Sequence, residues 1–143
     1  MQELTIRRTV NGERIGVVVV DDQAVFREVA RDVIRATAGF ELIGEAASGA
    51  EALRCVAELH PDLVLMDVHM PEMDGVQATR MLLGSDSRSV VVLVSLDDRD
   101  ELPAAVEACG AAAFLRKQDL RPSSLRDLWQ IHGTRDKEVH DES

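Results

Sequence analysis

The chain has 143 residues, of which 45% are hydrophobic and 29% charged, with a net charge of -10. That length fits one domain able to bury its own core without disulfides or a structural metal. The acidity argues against direct nucleic-acid binding, no apolar run could span a membrane, and the first residues hold no apolar signal core, so a cytoplasmic protein is expected.

Residues 1–13 are polar, mixed in charge, and read as a flexible N-terminal arm. IGVVVV at 15–20 is a β-branched run ending in Asp21-Asp22, and a continuous apolar run of this kind predicts a strand covered on both faces. From Gln23 to about Ala38, Val25, Phe26, Val29, Ala30, Val33 and Ile34 recur at helical spacing, and Gly39 is a stop signal. ELIGEAA at 41–47 is a second strand. Ser48 and Glu51 form a capping box for a helix that ends before Pro61. DLVLMD at 62–67 is a third strand, and MPEMDG at 70–75 is turn chemistry. A helix from about Val76 to Leu83 leads to a fourth strand at 89–96. A further helix from near Asp98 to Gly110 carries Pro103 in its first turns, where proline is tolerated. AAFLRK at 112–117 is the fifth strand, and the last helix runs from Pro122 to about His132. Residues 133–143 read as a polar tail, which leaves 14–132 as the domain. Cys55 and Cys109 stand in no CxxC pattern and are expected as free thiols of a reducing compartment.

Five βα units in a row imply a doubly wound parallel α/β sheet with helices on both faces. In the flavodoxin-like (βα)5 order 2-1-3-4-5, an order borrowed from a known fold, strands one and three are adjacent and flank the point where ligands sit. Asp21, Asp22 and Asp67 would then converge in one cleft at the strand ends. Three such carboxylates repel and call for a hard cation; Mg2+ suits them best, because it keeps waters and takes one or two carboxylates plus phosphate oxygens. Ser95 ends the fourth strand and Lys117 the fifth, where a hydroxyl and an ammonium can meet phosphate. Singly, each residue has a plainer reading as turn chemistry, a strand-end hydroxyl or a solvated lysine. Together they occupy four strand ends of one sheet.

With these residues in place, the segments VVVVDDQAVFRE, DLVLMDVHMPEMDGVQATR, VVVLVS and GAAAFLRK resemble the response-regulator receiver family, over about residues 14–131. MDGVQATR and FLRKQDL are most similar to receivers of LuxR/FixJ-type regulators. The resemblance implies that Asp67 is the phosphoacceptor and that Asp21, Asp22, Asp67 and the backbone carbonyl of His69 hold Mg2+, or Mn2+ in its place. It implies Ser95 as switch hydroxyl, Phe114 as switch aromatic and Lys117 as phosphate-binding lysine. A sensor histidine kinase or phosphotransfer protein would donate the phosphoryl group. Phosphorylation would alter the face of the fourth helix, fifth strand and fifth helix, a surface for a partner or a homodimer. The mixed-charge strip there comprises Asp97, Asp98, Arg99, Asp100, Glu101 and Arg116. Leu96, bulky after the switch serine, and His69 are expected to tune access and phosphoryl lifetime. Gln118 replaces the usual proline after Lys117, so a cis peptide is not expected there. Trp129 reads as a partly buried anchor or a partner contact.

The chain is thus read as a phosphoacceptor with slow self-dephosphorylation rather than a turnover enzyme. It is either a stand-alone receiver or the receiver portion of a longer LuxR-type DNA-binding regulator. A Mg2+-dependent aspartyl phosphatase is a weaker alternative, because such enzymes carry a DxD pattern after strand one. A degenerate receiver that works without phosphorylation conflicts with the intact acid set.

Overall fold

The computed structural model describes residues 14–85 and 87–133. The strands are β1 (Ile15–Val20), β2 (Phe40–Ala46), β3 (Leu63–Asp67), β4 (Val90–Ser95) and β5 (Ala113–Arg116). The helices are α1 (Ala24–Arg35), α2 (Gly49–Leu59), α3 (Gly75–Gly84), α4 (Ala105–Ala108) and α5 (Pro122–Leu128). All neighbouring strands pair in parallel, in the order β2-β1-β3-β4-β5, as expected.

The valine-rich strands are apolar at every position because both faces of the sheet are covered. Val18, Val20, Val64, Met66, Val91 and Leu93 pack toward Ala52 and Val56 of α2 and Ala78 and Leu82 of α3. Their alternate neighbours Val17, Val19, Leu63, Leu65, Val92 and Val94 pack toward Phe26, Ala30 and Ile34 of α1 and Leu125 of α5. Period-two alternation therefore exists in the structure and is invisible in the hydropathy.

One irregularity bears on the site. The register of β1 against β2 passes from Val17↔Leu42 to Val18↔Gly44, so one extra residue bulges out of β2. The bulge reverses the alternation beyond it. Glu45 thereby meets α1, where it pairs with Arg31 at 2.9 Å and Arg27 at 3.4 Å.

Three expected boundaries change. The first helix stops at Arg35, and Gly39, at φ 89, lies in the turn that leads into β2. The helix expected from Asp98 to Gly110 is broken into a 3-10 turn at Arg99–Glu101 and the four-residue α4. Pro103 is the reason: it disfavours helical backbone in the residue before it, and Leu102 is extended at φ -99, ψ 156. The last α-helix ends at Leu128 and continues as a π-turn, Trp129–Gly133. Trp129 is half-buried against the α1–α5 core, in keeping with an anchor. The expected arm at 1–13 and nearly all of the expected tail lie outside the described residues.

Candidate functional site

β1 and β3 are hydrogen-bonded neighbours, so their carboxyl ends deliver Asp21-Asp22 and Asp67 to one place. One carboxylate oxygen from each of the three lies within 4.8 Å of the others. Asp21 and Asp67 are buried, and Asp22 is half-buried. Lys117, the first residue after β5, reaches the same point. Its ammonium lies 2.6 Å from Asp21 Oδ2 and 3.3 Å from Asp67 Oδ1. Its side chain is 10% exposed, so this is an ion pair largely out of water rather than a solvated lysine.

Several local devices hold the acids in place. The Gln23 backbone N–H donates to Asp21 Oδ1 at 2.8 Å. Arg27 donates to the Asp21 carbonyl at 2.6 Å and carries Glu45 as its counter-charge. The His69 N–H donates to Asp67 Oδ1 at 3.4 Å. Beyond Asp67, the Met73 N–H bonds the Pro71 carbonyl at 2.7 Å, with Glu72 between them at φ 70. This tight three-residue turn returns the chain to Gly75, whose N–H bonds the Val68 carbonyl at 2.9 Å. A Cβ at Gly75 would overlap the Asp67 carbonyl group. The Asp-Gly pair read as a turn therefore does two other jobs. Asp74 caps α3 by accepting from the Gln77 N–H, and Gly75 lets α3 begin against the backbone of Asp67.

Burial pushes the Asp67 carboxyl up to about 6, helped by the negative charge of Asp21 and partly opposed by Lys117. Three carboxylates face one ammonium, so charge is not balanced. Asp21 Oδ2 is buried without a hydrogen-bond donor, its contact with Lys117 being an ion pair off hydrogen-bonding geometry. A buried, donor-less carboxylate oxygen beside two more carboxylates is a donor set that fits a hard divalent cation.

The remaining expected residues sit around this cluster. Ser95 ends β4, the strand beside β3, is 1% exposed, and accepts the Asp97 N–H at 3.1 Å. Phe114 lies in β5, half-buried and packed against the core cluster that includes Leu102 and Val106. Leu96 is 66% exposed, and its carbonyl accepts from the Gln118 side chain at 3.3 Å. The loop after β5 is thus tied to the loop after β4 without a cis peptide. The His69 side chain, exposed, pairs with Asp97 at 3.0 Å across the loops after β3 and β4. Within the mixed-charge strip Arg116 pairs with Asp98 at 2.8 Å, while Arg99 pairs outside it with Glu107 at 2.6 Å.

Sequence reasoning placed the acids, the serine and the lysine, and missed Phe26, Arg27 and Gly75 as parts of the site. Phe26 reads simply as part of the apolar stripe of an amphipathic helix, and Arg27 draws no assignment. No local signal distinguishes them from the rest of α1.

A doubly wound parallel sheet with carboxylates and a lysine gathered where strand order reverses defines a class: flavodoxin-like α/β proteins, whose ligands sit at the strand ends, here beside an acidic cluster that could hold a cation. Within that class, the chain belongs to the response regulator receiver domain family, whose sequence profile matches residues 17–129. It is 41% identical over 118 residues to the uncharacterized transcriptional regulatory protein YhcZ of Bacillus subtilis, covering 82% of this chain and 54% of that one. It is 40% identical over 103 residues to the response regulator GacA of Pseudomonas viridiflava, covering 72% of this chain and 48% of that one. The chain spans about half the length of these two relatives. The solved receiver domain of the response regulator NarL from Mycobacterium tuberculosis superposes with a TM-score of 0.74 at 32% identity, covering 80% of this chain and 94% of that one. The domain is therefore a receiver of two-component response regulators, and its relatives include transcriptional regulators and protein-glutamate methylesterases.

Proposed function

We propose that Asp67 accepts a phosphoryl group from a phosphohistidine donor with Mg2+, or Mn2+, held by Asp21, Asp22, Asp67 and the His69 carbonyl. The observation that carries this is the meeting of three carboxylates and the Lys117 ammonium at one point, drawn from three separate strand ends. Lys117 and the His69 N–H both engage Asp67 Oδ1, which leaves Oδ2 as the attacking oxygen. That oxygen forms a bond to phosphorus as the phosphorus–nitrogen bond of the donor breaks. The cation supplies charge neutralisation for the transferred group. Lys117 then pairs with a phosphoryl oxygen as a point charge, and the Ser95 hydroxyl donates to another.

Ser95 would leave its place beside the Asp97 N–H in that step. Its departure opens room toward Phe114 and biases the α4–β5–α5 face between two packings. That face would meet an output partner or a second copy. Leu96 and the His69–Asp97 pair border the mouth of the site and are read as setting access and lifetime. The chain acts as an acceptor that resets, in the cytoplasm, within a domain spanning 14–132. A sensor histidine kinase or phosphotransfer protein is the donor. The names and lengths of the relatives favour a second feature: output through transcription, as the receiver portion of a longer regulator.

Mass spectrometry after incubation with Mg2+ and a small phosphodonor tests the assignment. One phosphoryl adduct is expected on the wild type and none on Asp67→Asn; an adduct on both, or on neither, would exclude Asp67 as acceptor.

A further inference from the structure

Phe26 stands outside the acid cluster yet touches its one positive charge. The centroid of its ring lies 4.8 Å from Lys117 Nζ, on the same ammonium that sits 2.6 Å from Asp21 and 3.3 Å from Asp67. Both side chains are close to buried, Phe26 at 9% exposure and Lys117 at 10%. A cation shielded from water over a ring face feels the ring quadrupole strongly. Filling the core beside Ala30 and Ile34 needs only an apolar group. The ring adds an attraction aimed at the atom that offsets the carboxylates.

We propose that Phe26 is a positioning residue whose ring holds the Lys117 ammonium on Asp21, so that lysine and divalent cation compete for that carboxylate. The same hold keeps the ammonium within reach of a phosphoryl group on Asp67. The inference rests on the reading of the acid cluster as a cation site. It has two effects of opposite sign. Without the ring, Lys117 leaves Asp21 more often, and the cation binds more tightly. The phosphoryl group meanwhile loses a pre-placed partner, and labelling at saturating Mg2+ slows. Loosening of the fold alone would weaken both.

The test uses Phe26→Leu, Lys117→Met and their combination, with Phe26→Met as a second ring-free variant should leucine fail to fold. Calorimetric titration with Mg2+ is expected to give a Kd about threefold lower in Phe26→Leu than in wild type, and no such gain in the Lys117→Met background. In chelator, denaturant unfolding is expected to show Phe26→Leu lowering the folding constant about threefold more in wild type than in Lys117→Met. Equal losses in both backgrounds would overturn the inference, as would an unchanged or weaker Mg2+ affinity in Phe26→Leu. A wild type that takes up no Mg2+ at all would remove the cation site itself and the competition with it. The unfolding comparison separates that failure from a failure of the ring to hold the lysine.

Discussion

Gly75 shows how narrow the tolerance around Asp67 is. Its Cα approaches so closely that an added Cβ would overlap the Asp67 carbonyl oxygen and come within 2.9 Å of the carbonyl carbon. Both are backbone atoms and cannot rotate away. Gly75→Ala is expected to cost about 1–3 kcal/mol, the usual cost of overpacking, and to abolish phosphoryl labelling by displacing Asp67; denaturant melts with mass spectrometry check both. Asp67 itself strains the folded state when ionised. Its folded pKa of about 6 exceeds the ordinary 3.8, so between those values the folded chain holds the proton more often than the unfolded chain. The associated stability is fully present below pH 3.8 and is lost as pH rises through 6. The shift corresponds to roughly 3 kcal/mol. In chelator, Asp67→Asn should therefore melt well above wild type at pH 7.5, and the gap should close toward pH 4. A constant gap across that range would show that the carboxyl is not destabilised by its surroundings.

The elements were legible wherever one covalent feature decided them. Ser48 accepts the Glu51 N–H at the start of α2, as its spacing implied. The side chain of Glu51 bonds the Ala47 N–H, one residue earlier than the simple box. The β2 bulge was not legible, because FELIGEA reads equally well as an even strand; only its pairing with β1 reveals the extra residue. Pro103 was read as tolerable near a helix start, yet its effect falls on Leu102, and the helix behind it shrinks to four residues. A helix that short has little intrinsic stability. Amide exchange in 99–108 is accordingly expected to be at least about tenfold faster than in the twelve-residue α1 and in buried β4, and to slow when Mg2+ and beryllofluoride are added. Equal protection of α4 and α1 would argue against a mobile output face. On the proposed switch, a marginal element between the site and β5 would be biased by a small change at Ser95.

At the scale of the whole molecule, the sheet order converts distance in sequence into contact. Asp21, Asp67 and Lys117 meet only because β1, β3 and the turn after β5 end on the same edge. Strand order is not legible in the sequence, since apolar runs carry no information about which neighbour they choose. If the cluster holds the proposed cation, the same convergence ties metal, proton and folding into one linkage. A cation that binds only the folded cluster stabilises the whole domain by about 1.4 kcal/mol per tenfold excess over its Kd. The proton on Asp67 competes for the same oxygen, so apparent Mg2+ affinity should fall about tenfold per pH unit below 6 and level off above it. The thermal midpoint of the wild type should thus climb with the logarithm of Mg2+ concentration at pH 7.5, climb much less at pH 5, and respond weakly in Asp67→Asn. A chain of net charge -10 also attracts divalent cations diffusely, and that attraction is insensitive to one substitution. An identical Mg2+ response in wild type and Asp67→Asn would therefore assign the stabilisation to general screening and leave the three-carboxylate cluster without a bound cation.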